Sequence, residues 1–189
     1  MISLDTTSDF PDPSLPVTPD LVSRQHSQFL VLMDKRASDL SRIADTAEEA
    51  GFPGVLKAVL TKEMAVAADV LEAFPLLKQT WGMGQVEAIQ NLGMKLAKSK
   101  SMRCVSAAVA IVSAILQRCG QTISQGLTSK VQVDSAAKEE AAEACRRLEA
   151  LVAVLSKYRD QFQDLMDVEY FLGKVRAQMM ASPKTLVSQ

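Results

Sequence analysis

From Met102 to about Gln125 the chain carries apolar residues on two sides of one helix, and nothing else in it narrows the possible folds as much. Val105, Val109, Val112, Leu116, Cys119 and Ile123 form one stripe at spacings of four and three, while Cys104, Ala108, Ile111 and Ile115 form a second. A helix lying on a protein surface needs one apolar stripe. Two stripes require neighbours on both sides, so this helix is expected at the centre of a helical assembly. A basic segment, KLAKSKSMR (Lys95–Arg103), leads directly into it and sets cationic side chains at its entrance.

The rest of the chain reads as helices around that centre. Thr18 and Pro19 suit an N-cap and first helical position, opening a helix that runs to Ala50 with Leu30, Met33, Ala37, Leu40, Ala44 and Ala47 inward. Gly51 and Pro53 stop it. Short helices over 53–60 and 62–74 follow, then a TWGMG loop (Thr80–Gly84) and a helix marked by Val86, Ile89, Leu92 and Leu96. Gly126 is expected to stop the two-faced helix. Asp134 caps a long last helix, which breaks near Asp167 and continues toward Met179. No stretch alternates with period two, so strands are not expected. Short connections between helices give an all-α fold, an antiparallel helical bundle or a short helical-repeat array of about six helices. The 189 residues, 48% hydrophobic, suffice for one core. The expected organisation is a disordered or loosely docked tail over 1–18, a helical domain over 19–180 and a second tail over 181–189.

A net charge of −1 conceals a segregation. Residues 1–77 hold twelve acids and six bases, whereas 78–133 hold seven bases and a single acid, Glu87. Such a basic patch attracts anionic surfaces by Coulomb steering, screened over about 10 Å at 0.1 M salt. The three cysteines (Cys104, Cys119, Cys145) cannot all pair and form no CxxC, which fits a reducing cytosolic compartment. The apolar run over 107–116 is too short to cross a bilayer, and the N-terminus lacks a basic signal-peptide start, so no membrane role is expected.

Catalytic chemistry needs convergent reactive groups, and the candidates do not converge. His26 is the only histidine. The cysteines lie in apolar stripes, where burial makes thiols inert. Gly82-Met83-Gly84 follows no strand and precedes no GK[ST], so it is a loop rather than a phosphate site. Glu139-Glu140 is accounted for by the dipole of the last helix. Nine methionines spread over the chain fill the core or an interface. The reading is therefore no enzyme, no catalytic residue, no metal and no cofactor. Nucleic acid is a poorer fit to the basic run than an acidic protein surface, since no aromatics are interleaved with the bases.

In their order, RQHSQFLVLMDKRASDLSRI (Arg24–Ile43), VAADVLEAF (Val66–Phe74), TWGMGQVEAIQNLGMKLAKSKSMRCV (Thr80–Val105), SAILQRCGQTI (Ser113–Ile123) and KEEAAEACRRLEAL (Lys138–Leu151) resemble the con80 domain at the C-terminus of the katanin p80 subunit. The resemblance spans about Leu21 to Leu172. It implies an all-helical regulatory subunit that binds the N-terminal domain of the katanin p60 ATPase and promotes microtubule binding, severing and targeting. The location it implies is the cytoplasm and cytoskeleton, at the spindle pole, centrosome or basal body, or axoneme. A p80 subunit usually also carries an N-terminal WD40 propeller, for which nothing before Leu21 suffices. The chain is thus read either as an isolated C-terminal domain or as a propeller-less relative. The alternative is a generic helical interaction scaffold of the cytoskeleton or cilium.

Site residues follow from both readings. Lys95, Lys98, Lys100 and Arg103 are expected to share one exposed edge at a helix corner, with Arg146 in EACRRL beside them, and to meet the acidic tubulin surface. Phe29 and Leu32 exceed what one packing face of the first helix needs, and Tyr158, Phe162 and Phe171 are alternative aromatic anchors. These five are the partner-binding candidates.

Overall fold

The computed structural model describes residues 19–128 and 134–181. The expected tails, apart from Ala181, which ends the last helix, lie outside them, as do the Thr18 cap and the 129–133 connection. Among the described residues there are six α-helices and no strand: α1 (Pro19–Leu60), α2 (Met64–Ala73), α3 (Met83–Ala97), α4 (Met102–Thr128), α5 (Ser135–Leu155) and α6 (Gln163–Ala181). Two 3-10 turns, Leu76–Lys78 and Ser156–Gln161, join them. The chain divides into two compact units, residues 1–38 and 39–189.

In the larger unit α4 takes the central place that its two stripes require. It packs against α2, α3, α5 and α6, and every residue of both stripes is buried except Leu116, which is half-buried against the core. By length and composition α4 would suffice to cross a membrane, contrary to the sequence expectation, yet its apolar faces are taken up inside the helical bundle. The largest fully buried side chains, among them Ile89, Leu92, Leu96, Ile111, Ile115, Leu148 and Leu151, interlock α3, α4 and α5.

Several boundaries differ from the sequence reading. The break at Gly51 is real, since its φ of 60° and ψ of −162° interrupt α1 where only glycine sits without strain. Gly126, in contrast, ends nothing, because α4 continues to Thr128. A Cβ there would stand 2.7 Å from the Cβ of Ala141, so the glycine serves close approach of α4 and α5. The last helix breaks earlier than expected, at polar SKYRDQ (Ser156–Gln161), and α6 runs unbroken through Asp167. The stripe of the first helix shifts as well. Leu30, Met33, Ala37 and Ala44 are exposed, whereas Leu40 and Ala47 pack half-buried against the core as expected, and before the Gly51 break only Ile43 is fully buried. Asp134 caps α5 as expected, its carboxylate accepting the Ala136 amide at 3.2 Å. Trp81 folds inward and donates its indole N–H to Leu76 O at 2.7 Å.

Candidate functional site

Two features stand out, an apolar surface on the first part of α1 and the basic corner between α3 and α4. The α1 run FLVLM (Phe29–Met33) is five consecutive apolar residues, and consecutive residues step about 100° around a helix, so the run covers its whole circumference. All five are exposed, Phe29 at 57% and Leu32 at 54%, and Val22 adds to them. The sequence reading counted Leu30 and Met33 as inward. The unbroken apolar run was the signal that no single inward face could account for it. Tyr158, Phe162 and Phe171, the other partner-binding candidates, are half-buried and packed against the core.

The basic corner arises because α3 ends at Ala97 and α4 starts at Met102, with Ser99 holding the turn by accepting the Ser101 amide at 3.1 Å. The corner does not offer five free cations. Lys95 is half-buried and its ammonium donates to Leu60 O, the last residue of α1, at 3.1 Å and to Lys62 O in the turn that follows. Burial pushes its pKa below the usual lysine value. Arg103 forks onto Glu72, with Nε to Oε1 at 2.8 Å and Nη2 to Oε2 at 2.7 Å, and its Nη1 reaches Asp69 at 2.5 Å. Those carboxylates, Glu72 foremost, raise its pKa further above the ordinary arginine range. Arg146 lies elsewhere, on α5, paired with Glu143 at 2.6 Å.

Lys98 and Lys100 alone among the five are exposed with no ion pair among the described residues. Sequence reasoning did not find the nearby Lys62, whose carbonyl receives Lys95 and whose ammonium pairs with Asp39 at 2.6 Å. It is 33 residues from Lys95, beyond any helical spacing rule.

The reactive groups stay apart. Cys104, Cys119 and Cys145 are free and buried, and burial raises the thiol pKa of Cys119 and Cys145. Among the described residues no three His, Cys, Asp or Glu side chains gather in a metal-binding group.

No curated protein and no solved structure matches the chain. The family model for the con80 domain of katanin matches residues 24–179, from the exposed part of α1 through nearly all of α6. A match over that much of an all-helical chain carries one conclusion: the chain belongs to the katanin con80 family.

Proposed function

We propose that the chain is a non-catalytic regulatory subunit that binds the N-terminal domain of the katanin p60 ATPase and, through it, promotes microtubule binding, severing and cytoskeletal targeting. The observation that carries the reading is the exposed Phe29–Met33 run, which lies inside the family match. A helical segment apolar on all sides is stable in water only when other helices cover it. Phe29 and Leu32 are the anchors, with Leu30, Val31 and Met33 completing the contact. Lys98 and Lys100 serve the acidic tubulin surface, and Arg146 has the smaller role that its pairing with Glu143 leaves it.

Calorimetric titration of the full chain with the p60 N-terminal domain tests the reading. Association at or below about 10 µM, with the negative heat-capacity change of apolar burial, is expected. Its absence, with the helical run instead capturing another cytoskeletal helix, would replace this reading with the general scaffold.

A further inference from the structure

The side of α6 that faces away from the bundle carries an apolar stripe of its own. Leu165, Val168, Leu172 and Val175 are buried and fix the inward side of the helix. Met166, Tyr170, Gly173, Ala177 and Met180 recur at spacings of four and three on the opposite side, and all five are exposed, Tyr170 at 76% and Met180 at 79%. The alternation is that of the a and d seam of a coiled coil.

Charge borders this stripe in a repeating order. Asp167 and Lys174 lie along one side and Glu169 and Arg176 along the other, and on each side the base follows the acid by seven residues, one heptad. Asp167 and Lys174 are exposed and have no ion pair among the described residues. Glu169 and Arg176 pair within the chain, with Arg159 at 3.2 Å and Glu149 at 2.6 Å. When two identical helices pack antiparallel, each side of the seam meets its own copy; an acid and a base one heptad apart on that side then face each other across the interface.

We infer that α6 docks antiparallel against α6 of a second copy of this chain, across a two-fold axis level with Phe171 and Leu172. In that register Tyr170 of each copy seats on Gly173 of the other and Met166 meets Ala177, so a large side chain faces a small one. A Cβ at Gly173 would meet nothing within 4 Å, so the seat is open. The same register sets Asp167 opposite Lys174 and Glu169 opposite Arg176, each twice by symmetry. The second set joins the internal pairs into rows of alternating charge, Arg159 and Glu169 from one copy followed by Arg176 and Glu149 from the other. A parallel arrangement would press Tyr170 against Tyr170 and leave a gap between facing glycines. This inference is independent of p60 binding, whose anchors lie on α1.

Sedimentation equilibrium of the full chain tests it, with a monomer–dimer equilibrium of Kd about 10–100 µM expected at low salt. Gly173→Gln fills the seat without touching the bundle and should weaken dimerisation at least about tenfold with no loss of monomer stability. Lys174→Glu and Asp167→Lys, each alone, turn attractions into repulsions and should each weaken it about fivefold, although they move the net charge in opposite directions. Combined in one chain they restore the opposed pairing, and the affinity should return to within about twofold of the parent. Phe29→Ser with Leu32→Ser should leave it unchanged. A chain that stays monomeric up to about 1 mM, or a dimer indifferent to Gly173→Gln, overturns the inference. So do single reversals that the double does not repair, and so does a dimer lost with Phe29→Ser and Leu32→Ser, which would assign self-association to α1.

Discussion

Helix α4 and the first part of α1 both carry more apolar surface than one packing face can use, and they resolve the excess in opposite ways. In α4 both stripes, all but the half-buried Leu116, are buried among α2, α3, α5 and α6. In α1 the run from Phe29 to Met33 is exposed all round. The residue types are nearly the same, so hydrophobicity does not separate the two. Order around the helix does, because α4 interrupts its stripes with small and polar positions such as Ser106, Ala110, Gln117 and Gln121, whereas FLVLM has no interruption. A segment of the second kind has no solvent-facing side to offer and is suited to being enclosed by something added later.

A charge placed in each helix breaks the comparison most sharply. Ile111 is fully buried, so Ile111→Asp, leaving an unpaired carboxylate in the core, should cost about 4 kcal/mol or more and abolish the cooperative urea transition. The same change at Phe29 should stay within about 0.5 kcal/mol in the isolated chain. Equal losses in the two would mean that the α1 run is already covered. The complementary measurement is binding. Phe29→Ser with Leu32→Ser should weaken association with the p60 N-terminal domain by at least about thirtyfold, a hot-spot-sized effect, as read by calorimetry.

The basic corner gives the smaller effects. Lys95→Met removes the ammonium from Leu60 O and Lys62 O and should lower stability by about 1–2 kcal/mol in urea titration. Lys98→Glu with Lys100→Glu should leave stability within about 0.5 kcal/mol while weakening microtubule co-sedimentation, and added salt should reproduce the loss in the parent protein. Pelleting as strong as the parent at low salt would remove these lysines from the interface. Reversing Lys95 and Arg103 along with them would confuse the result, since an acid at Arg103 would face Asp69 and Glu72.

What sequence periodicity could reach was the interior of the larger unit. The α4 stripes, the Gly51 break and the Asp134 cap all follow from rules acting within one turn of helix. The errors arose where the deciding partner is distant in sequence. Gly126 looks like a helix stop until Ala141 is placed against it, and Lys95 looks like a free cation until the end of α1 is brought to it. Arg103 likewise meets Glu72 across 31 residues. Charge counting along the chain cannot register such neutralisation.

The chain has a single tryptophan, and its position makes the two regions separable by light. Trp81 is buried in the 39–189 unit, its indole N–H fixed on Leu76 O and its ring under the Arg118 guanidinium at 5.4 Å. Intrinsic emission therefore reports the melting of that unit alone. Far-ultraviolet ellipticity counts every helical residue, including those of 19–38, so a transition seen by ellipticity before the emission changes is the signature of the exposed helix fraying on its own. Addition of a partner that encloses Phe29–Met33 should bring the two signals together.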